Sequence, residues 1–367
     1  MKLSCGLAVY NVKEKYLRAC IESIMKQLTD ETELLLIDDC STDNSGEVCK
    51  EYAAKDTRVR YINMGKNGGL SAVRNRTISE AQGKWIFFAD GDDIPSEHFV
   101  ETALRFSGAD YDIIIHNRAI FSGEKTGEEE KCSITALTEL PAEASRDISL
   151  SCLCLKPLDT EKIPLGKDAY YHAAWGALYR RDFLLENNLT FPLGQKKAQD
   201  SVFNTKAYFA AKKIGYLPYK MYYYRKDMQG ITQRYNADFT VVANSLIGHH
   251  FDCIKTLYNS DPEVLKAYKS NRMISLTIDS MRLNLFHPNN PKSRKERKKE
   301  FCDFINTEPY KSAIAEFDLK GCDWWGWRLP ILYAQKKKFA MLDIIFKHDS
   351  IFRLLGGVTS RINKLTR

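Results

Sequence analysis

Residues 67–93 read NGGLSAVRNRTISEAQGKWIFFADGDD, and this stretch decides the fold. Its first part is a glycine turn that opens a helix, expected from about Ser71 to Glu80. Its second part is a short apolar strand, Trp85 to Ala89, that runs directly into Asp90-Gly91-Asp92-Asp93. A short, wholly apolar strand suits a sheet covered on both faces. Acids at its carboxyl end stand where open α/β sheets bind their ligands.

Outward from this stretch the same tempo continues. Strands are expected at Leu3–Val9, Glu33–Ile37, Val59–Ile62 and Ile113–Ile115. Between them Tyr16, Leu17, Cys20, Ile21, Ile24, Met25 and Leu28 recur at helical spacing, as do Val48, Cys49, Tyr52 and Ala53, and later Phe99, Val100 and Leu104. Alternating strands and helices predict an α/β layered domain with a mainly parallel sheet. Residues 117–167 carry charge and Pro without a period and read as loops and short elements. Pattern returns at Trp175, with helices expected near Arg181–Asn187 and Ser201–Lys212. Past Gln229 the chain turns helical, over about 237–259 and 262–286, is broken by a basic stretch at 291–299, and continues in short helices to Arg367. The boundary is expected near residue 235.

Composition narrows the class. The 367 residues hold 54 Lys+Arg against 47 Asp+Glu, a net charge of +7, with 44% hydrophobic and 28% charged residues. That excludes a disordered or collagen-like chain. No apolar run reaches the roughly 18–20 residues that span a bilayer, and Met1 to Tyr10 lacks the basic flank of a signal peptide. The ten cysteines form no paired CxxC sets. They read as small buried thiols, which implies a reducing, cytoplasmic setting.

Three polar clusters fall at strand ends: Val9-Tyr10-Asn11, Ile37-Asp38-Asp39-Cys40-Ser41-Thr42-Asp43, and Asp90-Gly91-Asp92-Asp93. Caps and turns explain Ser41 and Asp43. They explain three carboxylates within four residues poorly, because such acids repel unless a cation sits among them. A divalent metal holding a nucleotide diphosphate satisfies both. A dinucleotide-binding reading fails, since Tyr10-Asn11-Val12-Lys13 occupies the turn that would need GxGxxG.

The order VYNVKEKYLRACIESI (9–24), LLLIDDCSTDNS (34–45) and residues 67–93 resembles the nucleotide-sugar half of family 2 glycosyltransferases with the GT-A fold. The blocks AAWGALYRRDFLLENNLTFPLG (173–194) and QDSVFNTKAYFAAKKIGYLPYKMYYYR (199–225) resemble its acceptor half. The resemblance implies a GT-A domain over residues 1–235, with a donor half to about 116, an acceptor half after it, and a helical C-terminal extension over 236–367. Tyr10, Asn11 and Asp39 would line the base pocket and favour uridine. Arg74 would approach base and phosphates, and Arg225 would stabilise the leaving diphosphate. Asp92 would ligate the metal, Mn²⁺ or Mg²⁺, with Asp90 toward the ribose or a water on the metal, and Asp93 would support the metal site from behind or meet the sugar. Asp200 would be the general base, and Trp175 and His172 would meet the acceptor. Three departures from the family pattern stand out: Cys40 replaces a common Gly, Gln199 a Glu and Ala177 a polar residue.

These roles imply an inverting transferase that moves a sugar from a UDP-sugar to a hydroxyl of a glycan or lipid-linked glycan. A non-catalytic scaffold of the same shape is the alternative, and the intact acids argue against it. A nucleotidyltransferase would need a Gly-rich phosphate loop after the first strand, which is missing. In the tail, Pro291–Lys299, Trp324, Trp325, Trp327, Lys336–Lys338, and Arg353, Arg361, Lys364 and Arg367 among Ile351, Phe352, Leu354 and Leu355 suit an anionic membrane surface. No nucleic-acid-binding module accompanies the charge.

Overall fold

The computed structural model describes residues 1–123, 132–226, 234–322 and 325–347. The chain forms two compact units, Met1–Cys152 with Pro157–Met228, and Leu153–Lys156 with Gln229–Arg367. The first unit carries the strands β1 (Leu3–Val9), β2 (Thr32–Asp38), β3 (Val59–Asn63), β4 (Trp85–Asp90), β5 (Ile94–Pro95), β6 (Ile113–Phe121), β7 (Thr138–Glu139), β8 (Ala177–Arg180) and β9 (Ile214–Arg225). They form one sheet in the order β3-β2-β1-β4-β8-β6-β9-β5, with β7 beside β9. Helices α1 (Glu14–Met25), α2 (Ser45–Lys55), α3 (Gly69–Glu80), α4 (Phe99–Arg105), α5 (Ala144–Cys154), α6 (Arg181–Glu186) and α7 (Gln199–Ala210) complete the layers.

The four strands β3-β2-β1-β4 are parallel, as their alternation with helices requires. Beyond them the sheet is mixed rather than mainly parallel. β8 runs against both β4 and β6, and β5 against β9. Strand-then-helix alternation predicts parallel pairing only where each strand has its own crossover helix, and that regularity stops at β4. The stretch expected as loops and short elements holds the 11-residue α5, and β9 passes through Pro218. The ladder jumps from His116↔Leu217 to Asn117↔Lys220, so Pro218 sits in a bulge where its missing N–H costs nothing.

Strand β4 explains why this sheet is stable. Trp85, Phe87 and Ala89 join α1 residues Leu17, Ile21 and Ile24 in one core layer. Ile86 and Phe88 point to the other layer, with Tyr179, Phe191 and Phe203. None of Trp85, Ile86, Phe87 and Phe88 exceeds 1% exposure, so each large side chain contributes about 1.5–3 kcal/mol of burial. The acidic end of β4 is thereby fixed from both faces.

The second unit is helical: α8 (Phe239–Tyr258), α9 (Pro262–Tyr268), α10 (Ile274–Ser280), α11 (Arg294–Asn306), α12 (Tyr310–Glu316), α13 (Trp325–Gln335) and α14 (Phe339–Lys347). Wide turns at Lys269–Met273 and Met281–Leu285 continue α9 and α10. The basic stretch that reads as a break is the start of α11, because Ser293 and Glu296 form a reciprocal cap. Trp324 and the cations Arg353, Arg361, Lys364 and Arg367 lie outside the described residues. No described helix is long and apolar enough to cross a membrane. All ten cysteines are free thiols.

Candidate active site

The carboxyl ends of β1, β2 and β4 deliver the acidic clusters to one edge of the first unit. After β1, Tyr10 is half exposed and Asn11 adopts φ 48°, a conformation that Asn tolerates. The Asn11 Oδ1 accepts the Thr42 N–H at 2.8 Å, and its own N–H donates to the Ser41 Oγ. Asn11 thus clamps the loop after β2, a task its expected nucleotide contact did not anticipate. Cys40 takes φ 58° in that loop. The departure from Gly therefore falls where Gly has a steric advantage of roughly 1 kcal/mol.

Asp39 is buried, and its two carboxylate oxygens accept the Gly68 and Gly69 N–H groups at 2.7 and 2.8 Å. Gly69 needs its φ of 78° to present that amide at the start of α3. One turn farther along α3, Arg74 is 2% exposed. Its guanidinium donates to the Asp90 Oδ1 at 3.1 Å and to the Asp200 Oδ1, while Phe191 packs 5.3 Å from it. Burial works against the Arg74 charge, but Asp200 and Asp90 outweigh it and its pKa is raised.

Asp200 is the second residue of α7, following Ala198 in the left-handed region. Burial raises its pKa; Arg74 pulls the other way, and Asp90 adds to the rise. The preceding Ala174–Gly176 turn approaches the backbone so closely that a Cβ on Gly176 would fall 1.8 Å from the Tyr170 oxygen. Arg74, Asp90 and Asp200 converge although 126 positions separate Arg74 from Asp200.

The acidic turn after β4 divides its labour. Asp92 is exposed, and the Asp90 side chain is 26% exposed. Asp93 is only 1% exposed and does not belong among the metal ligands. Its Oδ2 accepts the Tyr222 O–H at 2.7 Å and its Oδ1 the Arg225 N–H at 2.7 Å. Burial, with Asp90 and Asp92 behind it, pushes its pKa up to about 8. Asp93 is a brace between the turn and β9. Asp93→Ala leaves both donors buried without an acceptor, and an expected loss of about 2–4 kcal/mol of stability is measurable by urea unfolding.

Arg225 also differs from expectation. Its Nε donates to the Asp92 carbonyl at 2.7 Å and its Nη1 to the Gly123 carbonyl, with the Tyr16 and Phe121 rings 4.0 and 4.4 Å away. That guanidinium anchors the Asp92 backbone rather than offering a fork to a diphosphate. Trp175 is 4% exposed and stacked on Tyr222 at 4.5 Å, with Tyr170 and Tyr224 alongside. It is a core residue and presents no face to an acceptor sugar. His172 is half-buried against Tyr171, with its Nε2 3.4 Å from the Ser151 Oγ.

Tyr222 is the residue that sequence reasoning missed. Its hydroxyl oxygen accepts the Asp90 N–H at 3.1 Å while its proton goes to Asp93. The period of two in a strand places Tyr222 and Tyr224 on one face, which was the available signal.

The donor chemistry bears on a metal. Among the described residues no group of three or more His, Cys, Asp or Glu could hold a metal ion. Mg²⁺-type cations commonly use one or two carboxylates and take further oxygens from a substrate phosphate. Exposed Asp92 beside Asp90 fits that pattern, and fits a tightly resident metal poorly.

Comparison with known proteins agrees with this architecture. The family model described as glycosyl transferase family 2 matches residues 4–184. EpsH of Bacillus subtilis (strain 168) is 33% identical over 235 residues, covering 64% of this chain and 63% of EpsH. The poly(ribitol-phosphate) beta-N-acetylglucosaminyltransferase TarS of Staphylococcus aureus (strain MW2) is 28% identical over 233 residues, covering 63% of this chain and 36% of TarS. The chain thus matches less than two thirds of the length of either relative. The crystal structure of S. aureus TarS 1-349 in complex with UDP-GlcNAc superposes with a TM-score of 0.58 at 20% identity, covering 94% of this chain and 91% of that one. The strand-end acids, the glycine turn and the shared GT-A fold accord with one finding: over residues 4–184 this chain matches glycosyl transferase family 2.

Proposed function

We propose that the protein transfers a sugar from a UDP-sugar to a hydroxyl of a glycan acceptor in cell-surface polysaccharide synthesis, with inversion at the anomeric carbon. The observation that carries this reading is Arg74, whose one guanidinium joins Asp90 of the donor-side turn to Asp200 of the acceptor half. A single displacement needs the leaving group and the base within a few ångströms of one carbon. The complex of TarS with UDP-GlcNAc supports the choice of a UDP-sugar, and the action of TarS on poly(ribitol-phosphate) supports a surface polymer as the acceptor.

In this reading Asp39 receives the uracil N3–H on a lone pair that the Gly68 and Gly69 amides leave open, and Tyr10 covers the base. Asp200 takes the proton of the attacking hydroxyl. Its raised pKa makes it a stronger base than a free carboxylate. Asp92 and Asp90 would hold Mn²⁺ or Mg²⁺ together with the diphosphate, and the cation would supply charge for the departing UDP. Asp93, Tyr222 and Arg225 keep that turn in place. A cytoplasmic location at a membrane face would bring this site to a lipid-linked acceptor.

Two measurements test the proposal. UDP release from a panel of UDP-sugars with Mn²⁺ is expected to single out one donor, and no release from any of them would remove the activity. By calorimetry, Mn²⁺ alone is expected to bind weakly and UDP with Mn²⁺ tightly. Asp92→Asn should abolish the metal-dependent part of UDP binding without unfolding the protein. Undiminished UDP–Mn²⁺ binding by that variant would show that Asp92 is not a ligand.

A further inference from the structure

The second unit holds a cleft of about 630 Å³ lined by Arg294, Lys295, Lys298, Lys337, Lys338 and the Phe339–Met341 turn of α14. Its walls are pinned together. Arg297 and Asp343 form a buried ion pair at 2.7 Å between α11 and α14, and Phe286, Phe301 and Phe339 pack behind it.

The charges of the five cations are not used in ion pairs within the fold. All are exposed, and among the described residues none has a carboxylate within 4.0 Å, whereas neighbouring Lys292 and Lys347 pair with Glu300 and Asp343. Arg294 and Lys295 occupy the first turn of α11, where the helix dipole disfavours positive charge. Lys337 takes φ 53°, a conformation that a Lys side chain rarely adopts. Lys337 and Lys338 close the C-terminus of α13, where the Lys338 N–H reaches the Tyr333 carbonyl and the dipole favours cations. The mutual repulsion of the five and the first-turn placement of Arg294 and Lys295 have no such return.

Apolar residues adjoin the charge. On α14, Phe339, Leu342, Ile345 and Phe346 face the core, yet Met341 and Ile344 are 40% and 51% exposed. Ala340 is exposed beside them. A soluble polyanion would satisfy the cations and leave Met341 and Ile344 in water. A bilayer surface satisfies both, with anionic headgroups in the cleft and the apolar pair at the acyl boundary.

We infer that the α11–α14 cleft docks the protein on an anionic lipid surface, with Arg294, Lys295, Lys298, Lys337 and Lys338 taking phosphate headgroups and Met341 and Ile344 entering the interface. This docking stands apart from sugar transfer, since it uses residues of the other unit. It narrows the tail-wide membrane expectation to seven side chains.

The test is co-sedimentation of the full chain with vesicles of equal parts phosphatidylglycerol and phosphatidylcholine, against phosphatidylcholine alone. Binding is expected only with the anionic lipid and should weaken as salt rises. The quadruple variant Lys295→Glu, Lys298→Glu, Lys337→Glu and Lys338→Glu should bind at least about a hundredfold more weakly. Met341→Ser with Ile344→Ser should bind several-fold more weakly and retain the salt dependence. Unchanged UDP–Mn²⁺ binding and an unchanged thermal transition would show that both variants are folded. Native-level vesicle binding by the charge variant overturns the inference, as does equal binding to phosphatidylcholine. Loss of binding to inorganic polyphosphate in the charge variant, with vesicle binding indifferent to Met341 and Ile344, also overturns it in favour of a soluble polyanion. Vesicle binding through these residues by a protein that cleaves no UDP-sugar would leave the docking intact and remove the proposed function alone.

Discussion

Replacing Asp200 with Asn is expected to slow sugar transfer by about 10²–10⁴ while UDP–Mn²⁺ binding stays near its native value. Asn keeps the shape and still accepts from Arg74, but it cannot take a proton from the acceptor hydroxyl. The pH profile gives a second readout. Asp200 has its pKa raised, so its protonation removes the base as pH falls, and the acid limb of kcat should lie above the pH of an ordinary aspartate. That limb should vanish from the residual rate of the variant. Near-native turnover by Asp200→Asn would take Asp200 out of the role.

The second large effect is expected at Arg74. Arg74→Met removes the cation from between Asp90 and Asp200, which then face each other uncompensated. Breaking a buried pair costs about 3–5 kcal/mol. Here the two carboxylates are 26% and 20% exposed, so water recovers part of it and a loss of about 2–3 kcal/mol is expected. Turnover should fall with it, in kcat as well as in KM. Arg74→Lys should recover more stability than activity, because one ammonium cannot hold two carboxylates in the fork geometry of a guanidinium. Full activity in Arg74→Lys would mean that only the charge matters.

Much of this architecture was legible because local pattern and global position agree. The run from Trp85 to Asp90 is apolar on both faces and ends in acids, and only a covered central strand accommodates that. The resemblance named Asp90, Asp200 and Arg74 one by one, but it put Arg74 at the base and phosphates. Its place between two carboxylates was not foreseen, since nothing local relates residues so far apart in sequence. Where reading failed, side chains carried two meanings. Trp175 next to a turn suits either a sugar platform or a core stack, and only its contact with Tyr222 decides. Asp93 stands beside Asp92 in the sequence, yet burial and two donors turn its carboxylate inward. Arg225 follows an aromatic run, and its carbonyl partners at Asp92 and Gly123 come from distant segments. The strand β9 was hidden by Pro218, which a bulge absorbs.

The stereochemistry of the product tests the central claim most directly. One displacement with Asp200 as base allows a single outcome from an α-configured UDP-sugar. NMR of the glycan formed with the donor selected in the UDP-release panel should show a β-linked sugar, by the coupling constant of its anomeric proton. An α-linked product would contradict inversion at this site and the role given to Asp200.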